Sequence, residues 1–333
     1  MTTFQAYKID KDGDTVKGRL EDLSAKDLPS SDVLIKVHYS SVNFKDGMVS
    51  QPDNALVKDY PIIPGIDLAG EVVRSRDDRF KEGDKVIATS YEIGVSHDGG
   101  FSQYANIPAD WIVPLPDGLT LEESMIYGTA GFTAALSVYR LEQNGLTPDQ
   151  GPVLVTGATG GVGSMAVAML AKRGYTVHAS TGSEEHTEYL KDLGADKVLS
   201  REDVYNGKIK ALAKQQWAAA VDPVGGEPLA SVLSKLQYNG AAAVSGLTAG
   251  VNVPTQVYPF ILRGISLLGI DSVYCPMETR KKVWHRMAND LKTKEVFNRM
   301  KVVISLDEVE EKLHQILKGE TRGRIIIKLQ DDE

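Results

Sequence analysis

The segment with the clearest chemical meaning reads Val153-Leu154-Val155-Thr156-Gly157-Ala158-Thr159-Gly160-Gly161-Val162-Gly163-Ser164. An apolar, branched run precedes its glycines and a helical pattern follows them. Glycines at such a junction let the chain turn tightly and bring backbone N–H groups against a pyrophosphate, whose charge suits a helix start. Gly163 lets the helix pack closely on the strand. The common fingerprint has glycine at its first place, where this chain has Ala158; Gly160 and Gly163 fill the other two. Glycine-rich turns also merely join elements. Between a strand and a helix in an α/β series, the reading is dinucleotide binding through Thr159, Gly160, Gly161, Val162 and Gly163.

The ribose end of a dinucleotide is read by the next strand. A carboxylate about 20 residues beyond the glycines usually binds the ribose diol of NAD. The corresponding stretch is Ala179-Ser180-Thr181-Gly182-Ser183, with no carboxylate at the strand's end. Hydroxyls and backbone N–H groups at Ser180, Thr181 and Gly182 can donate to a 2′-phosphate, and Lys197 adds positive charge if the fold brings it near. The expected cofactor is NADPH. The competing reading is an ordinary turn in which Ser183 caps a helix that begins with Glu184 and Glu185.

The elements that must position these residues fall into two patterns. Up to about Thr120, short strand signals such as 33–39, 71–73, 85–88 and 111–113 alternate with turns at Asp12-Gly13-Asp14, Glu82-Gly83-Asp84, Asp98-Gly99-Gly100 and 114–118. That pattern predicts a compact, barrel-like β domain. Residues 121–141 then carry helical spacing, and from Gly151 strands and helices alternate, which predicts a doubly wound parallel sheet. Leu247, in the loop after the strand starting at Ala241, and Ser272, after the strand ending at Leu268, lie where an open α/β sheet binds ligand. Residues 306–318 read as an amphipathic helix and 324–328 as a strand. This last strand suits an edge of the α/β sheet as well as a return to the first domain.

Composition narrows the function classes. The chain has 333 residues, 42% hydrophobic and 25% charged, enough for two domains and unlike a disordered chain. Its net charge of −8, without a basic stretch interleaved with aromatics, speaks against nucleic acid as a partner. A single cysteine, Cys275, excludes an intrachain disulfide and a thiolate-rich metal site, and fits a reduced, cytoplasmic setting. No stretch resembles a signal peptide or a membrane span.

Several ordered motifs carry a family resemblance over essentially the whole chain. They are Tyr39-Ser-Ser-Val-Asn43-Phe-Lys-Asp-Gly47, Pro64-Gly-Ile-Asp-Leu-Ala-Gly70, Gly128-Thr-Ala-Gly-Phe-Thr-Ala134, the glycine loop, Pro259-Phe-Ile-Leu-Arg263 and Leu268-Gly-Ile-Asp-Ser-Val-Tyr274. The chain resembles the medium-chain dehydrogenase/reductase superfamily, and within it the acryloyl-CoA reductase and quinone oxidoreductase branch. The resemblance implies a GroES-like β-barrel catalytic domain, 1–122 and 298–333, interrupted by a Rossmann NADPH-binding domain, 123–297. It implies an active site in the cleft between them and a homodimer formed through the Rossmann sheet. Zinc-dependent relatives place a cysteine near Asn43 and Gly-His-Glu near Gly65. Here the chain reads Asn43 and Gly65-Ile66-Asp67, so no metal is expected.

Without a metal, the implied chemistry is NADPH-dependent reduction of an activated C=C bond, with acryloyl-CoA to propanoyl-CoA the favoured case. Hydride goes to the β-carbon, donors must meet charge on the thioester oxygen, and a proton must reach the α-carbon. By resemblance, Asn43, Phe44 and Asp46 face the nicotinamide, Thr129 starts a nicotinamide-contacting element, and Arg324 is a basic group that approaches the cofactor. Asn43 is a candidate amide donor and Asp46 a candidate acid or base. Phe44 replaces a tyrosine found in several relatives, which leaves Tyr91 and Tyr127 as alternative proton donors. The bland readings are a turn for Asp46, core packing for Phe44 and both tyrosines, and a solvated edge charge for Arg324. Reduction of quinones or small enones uses the same features. So does a protein that binds the cofactor without turning it over.

Overall fold

The computed structural model describes residues 3–330. Residues 1, 2 and 331–333, which the expected outer limits of the first domain include, lie outside the described residues. In chain order the strands are β1 (Thr3–Asp12), β2 (Thr15–Ser24), β3 (Val33–Val42), β4 (Asp67–Ser75), β5 (Lys85–Thr89), β6 (Tyr104–Ile107) and β7 (Ile112–Pro114). Then follow β8 (Val153–Val155), β9 (Val177–Ser180), β10 (Lys197–Leu199), β11 (Trp217–Asp222), β12 (Leu236–Val244) and β13 (Ser266–Gly269). β14 (Lys301–Ile304) and β15 (Arg324–Lys328) close the series.

The chain forms two compact units. One holds the chain up to Thr129, Val273–Lys281 and the chain from Lys301; the other holds Ala130–Ser272 and Lys282–Met300. The excursion 273–281 breaks the single 123–297 stretch expected from the sequence. Its physical basis is Arg280, fully buried, whose guanidinium donates to Thr89 O and Oγ1 and to Val273 O within the first unit.

In the first unit the strand order is β14-β15-β3-β4-β5-β7, with β6 also on β3 and a separate β1-β2 hairpin. The long β3 serves two neighbours along one edge: Val33–Lys36 pair with β6, and Tyr39–Val42 pair with β15. Its other edge pairs with β4. Val33, Ile35 and Val37 alternate inward and are fully buried, as a half-buried strand requires. The pairing of β15 with β3 decides where the C-terminal strand goes: it joins the first unit, not the α/β sheet.

The second unit holds a six-stranded sheet of order β10-β9-β8-β11-β12-β13, parallel throughout. The order reverses beside β8, and ligands of such sheets bind beyond the carboxyl ends of the strands at that reversal. Helix Gly161–Lys172 follows β8 across the glycine loop. The helix expected from Glu184 is instead a 3-10 turn, Glu184–His186, followed by Thr187–Asp192; Ser183 precedes it without a side-chain cap bond. Leu229, Val232 and Leu233 of helix Gly226–Lys235 are fully buried at helical spacing and share a core with Leu154, Trp217 and Leu236.

Trp217 is buried and donates from Nε1 to Nδ1 of His178, 3.2 Å away. That bond needs an unprotonated Nδ1. Burial first, and Lys197 second, hold the His178 imidazole below its usual range. A lowered histidine contributes stability that is present above its unfolded value of 6.5 and lost as pH falls. Urea denaturation at pH 7.5 and 5.5 is expected to show a loss of second-unit stability on acidification. His178→Gln, which keeps an acceptor and cannot take a proton, is expected to flatten that loss.

Candidate functional site

In the first unit, β3 lies between β4 and β15. Pairing of Ser40 with Leu68 continues to Ser41 opposite Asp67, and pairing of Val42 with Ile325 continues to Asn43 opposite Arg324. Sheet register alone therefore gathers two hydroxyl and amide side chains with one carboxylate and one guanidinium.

Asp67 is fully buried and well satisfied. Its Oδ2 accepts from Ser41 Oγ at 2.6 Å, Asn43 Nδ2 at 2.7 Å and the Thr129 N–H at 2.8 Å, and its Oδ1 from Thr129 Oγ1 at 2.5 Å. Arg324 Nη2 is 3.9 Å away. The guanidinium also donates to Ile126 O, Asn43 Oδ1 and Ser41 Oγ. Burial pulls Arg324 below its usual value, against the charges of Asp67 and Asp46. Gly128 closes the network: at φ 51° it presses its Cα so near that a Cβ would lie 2.5 Å from Asp67 Oδ2 and 2.6 Å from Arg324 Nη2.

Asp46 is fully buried and accepts from the N–H groups of Asn43 (2.7 Å) and Ile66 (3.0 Å). Burial, and then the charge of Asp67, push its carboxyl up to about 7.

These placements correct several expectations. Asn43 does not offer its amide to a substrate: Nδ2 donates to Asp67 and to Ser41 O, and Oδ1 accepts from Arg324. Arg324 does not reach outward as a cofactor contact, because its guanidinium is buried against Asp67. Tyr127 is fully buried, so its hydroxyl is not presented as a proton donor. Asp46 is likewise enclosed, with its oxygens on two backbone N–H groups. Phe44, by contrast, is 41% exposed at the start of helix Phe44–Val49 and presents a ring. Thr129 is half-buried, with its hydroxyl committed to Asp67 and 3.0 Å from Ser90 Oγ. Tyr91 is half-buried and follows Ser90 at the end of β5.

In the second unit the glycine loop sits at the sheet's reversal. A Cβ on Gly163 would lie 2.3 Å from Gly157 O, so this glycine sets how closely the helix approaches the loop. A Cβ on Gly160 meets nothing nearer than 3.5 Å. The helix start has no side-chain cap and no acidic residue in its first turn. The N–H groups of Gly161, Val162 and Gly163 have no intrahelical acceptor, which fits a pyrophosphate. Asp222 ties the loop to the sheet by accepting from Thr156 Oγ1, Val224 N and Gly225 N. Leu247 packs beside Gly225 on the same edge, and Ser272 follows β13.

At the ribose end the hydroxyls turn inward. Ser180 Oγ donates to Ser200 O, and Thr181 Oγ1 donates to Ser183 O and accepts from its N–H. Lys197 starts β10 opposite His178, about 13 Å of extended chain before residue 201, so it is not brought to this edge. Arg201 is. A Cβ on Gly182 would lie 2.4 Å from its guanidinium carbon, and among the described residues that guanidinium has no hydrogen-bond or ion-pair partner. Register could have found it: Leu199 pairs with Ser180, so Arg201 lies beside Gly182.

The comparisons with known proteins agree with this layout. The alcohol dehydrogenase GroES-like domain family matches residues 29–117, and the zinc-binding dehydrogenase family matches residues 161–289. The chain is 60% identical to "Putative quinone oxidoreductase YhfP" of Bacillus subtilis, over 98% of this chain and 99% of that protein. The chain belongs to the medium-chain dehydrogenase/reductase superfamily. It lies in the branch that also holds the acrylyl-CoA reductase AcuI of Ruegeria pomeroyi, 46% identical over 97% of this chain and 98% of that protein. The crystal structure of yhfP with NAD bound superposes with a TM-score of 0.97, covering 99% of this chain and all (100%) of that one. That of Escherichia coli YhdH with bound NADPH superposes with a TM-score of 0.94 at 41% identity, covering 98% and 100%. The two units are thus the superfamily's GroES-like domain and its Rossmann-type parallel sheet.

The donor set where zinc-dependent members of the superfamily hold their metal does not fit zinc. Asn43 is neutral, and Asp67 already faces a cation, the Arg324 guanidinium. Among the described residues no group of three or more His, Cys, Asp or Glu is placed to hold a metal.

Two outcomes test the network. Gly128→Ala is expected to destabilise the first unit by about 2–5 kcal/mol, from the positive φ and the forced displacement of Asp67 and Arg324, as read by urea denaturation. A carboxyl raised in the folded state contributes stability that is present below its unfolded value of 3.8 and lost as pH rises through about 7. Wild-type stability minus that of Asp46→Asn, measured by denaturation from pH 5 to pH 8, is therefore expected to fall as pH rises.

Proposed function

We propose that the chain is a zinc-independent, NADPH-dependent reductase of activated C=C bonds, with acryloyl-CoA its substrate and propanoyl-CoA its product. The observation that carries the cofactor assignment is the unpartnered Arg201 guanidinium laid over Gly182 beside the strand that follows the glycine loop. A planar fork of donors suits a phosphate, and no carboxylate stands there to bind a ribose diol. Full-length similarity to the acrylyl-CoA reductase AcuI and to the NADPH-bound YhdH supports the same reading.

A bound reduced nicotinamide supplies hydride. The chain does the rest. The N–H groups of Gly161, Val162 and Gly163 hold the pyrophosphate, with Thr159 and Gly160 shaping the turn, and Arg201 holds the 2′-phosphate. Leu247 and Ser272 line the carboxyl edge of the sheet, and the exposed Phe44 ring offers an apolar face to the nicotinamide. Asn43, Asp46, Thr129 and Arg324 act through their saturated network, which fixes the segment around Thr129. With no Lewis acid to activate an alcohol, this arrangement suits a substrate whose double bond is already polarised by a thioester.

A homodimer is part of the proposal. β13 is an edge strand of the parallel sheet, and the neighbouring helix Tyr258–Arg263 leaves Ile261 69% and Leu262 55% exposed. An unpaired edge flanked by apolar side chains suits a second copy. The lone cysteine, Cys275, is buried and agrees with a cytoplasmic enzyme, and no helix among the described residues is long and apolar enough to cross a membrane.

Absorbance at 340 nm with acryloyl-CoA tests the proposal, with NADPH and NADH each run, and a 1,4-quinone as competing substrate. Turnover of acryloyl-CoA with NADPH is expected to exceed turnover with NADH. Turnover of the quinone alone moves the assignment to a quinone reductase, and tight cofactor binding without turnover moves it to a binding protein. Arg201→Gln is expected to raise the NADPH dissociation constant roughly 10- to 100-fold and leave that of NADH within about twofold, by the strength of a charged hydrogen bond.

A further inference from the structure

We propose that Tyr91 is the proton donor to the α-carbon of the reduced thioester; this rests on the reductase reading above. The step needs a group that holds a proton, is presented to a ligand, and is not already spent on the fold. Asn43 has both amide hydrogens on Asp67 and Ser41, Asp46 is enclosed with its oxygens on two backbone N–H groups, and Tyr127 is fully buried. Ser90 is buried, and its hydroxyl lies against Thr129, whose own proton goes to Asp67. Tyr274, on the neighbouring segment, donates to Glu92. The Tyr91 hydroxyl has no hydrogen-bond partner among the described residues and belongs to a half-buried side chain.

Its backbone is held out of the ordinary range. Ser90 has φ 66° and Tyr91 φ 48°, two consecutive non-glycine residues in the left-handed region. Each costs on the order of 1 kcal/mol and persists only where the surroundings over-determine it. Here they do: Ser90 N–H donates to Ile66 O, Tyr91 N–H donates to Val273 O, and Ser90 Oγ is 3.0 Å from Thr129 Oγ1. The Asp67–Thr129 network therefore aims this turn. The ring is held by two neighbours, stacked on Trp111 at 5.6 Å and 7° and covered by the Arg280 guanidinium 4.5 Å from its centroid. A phenol so held keeps one orientation.

The step balances as follows. A reduced nicotinamide, the two-electron reductant, leaves the thioester as an enolate. The Tyr91 O–H bond breaks, the enolate's electron pair forms the α-carbon C–H bond, the carbonyl is restored, and water returns a proton to the phenolate.

The test uses the full-length enzyme. Tyr91→Phe is expected to lower kcat for acryloyl-CoA roughly 100-fold, as for loss of a general acid, with KM and the NADPH dissociation constant changed less than about threefold. Reduction in D2O gives a second readout. Wild type is expected to place deuterium on one face of the α-carbon, read by NMR after coupling to a chiral alcohol, and Tyr91→Phe to place it on both. Tyr274→Phe is expected to behave as wild type on both counts. Full activity with one-faced deuteration in Tyr91→Phe overturns the assignment, as does equal loss in kcat and in cofactor binding, which marks a structural ring. Absence of acryloyl-CoA turnover in the wild type fails the reductase reading itself, and this assignment falls with it.

Discussion

A buried carboxylate opposite a buried guanidinium is the constraint on which the first unit turns. Asp67 and Arg324 are both removed from water, and removing one partner of such a pair typically costs 3–5 kcal/mol, because the other is left uncompensated. Their 3.9 Å approach is tolerable because the surrounding groups are hydrogen-bonded to them: Ser41 and Asn43 bond both partners, Thr129 donates twice to Asp67, and the Ile126 carbonyl accepts from Arg324. The carboxylate arrives at the start of β4, the guanidinium at the start of β15, and β3 runs between them. One strand's two edges thus set a charge pair, and the pair sets the conformation of Gly128 and Thr129.

The same pair explains a division of labour among the polar residues. Those gathered most tightly are saturated with one another and have little left to give a ligand. They make a rigid floor. Groups with hydrogen-bonding capacity to spare stand at its margin or on the other unit: the Tyr91 hydroxyl at the end of β5, the Arg201 fork past β10, and the open N–H groups at the start of helix Gly161–Lys172. Polar residues that read alike in a sequence therefore separate in the structure by whether their donors are already committed.

That distinction marks where the sequence was legible. The parallel sheet and the superfamily were readable, because periodicity, turn residues and ordered motifs are local signals. Asn43 and Arg324 were given outward roles, since commitment of a hydrogen-bonding group depends on partners 24 to 283 residues away. Lys197 was named and Arg201 missed for a related reason. Both are basic and near the second strand, and only the register of β9 against β10 shows which one reaches Gly182. The excursion 273–281 was invisible because its anchor, Arg280, looks in sequence like a solvated helix charge.

The pairing of β15 with β3 also bears on how the protein is made. Arg324 follows Asn43 by 281 residues, with the whole parallel sheet between them. A ribosome adding on the order of 5–20 residues per second leaves Asp67 without its counter-charge for roughly 15 to 50 seconds. During that interval the second unit, contiguous but for a short excursion, can collapse on local contacts, while the first waits for its last strand. A nascent chain stalled before residue 324 would therefore carry a folded α/β unit beside a β unit with an orphaned carboxylate at its centre, a species that proteolytic surveillance can tell from the finished molecule.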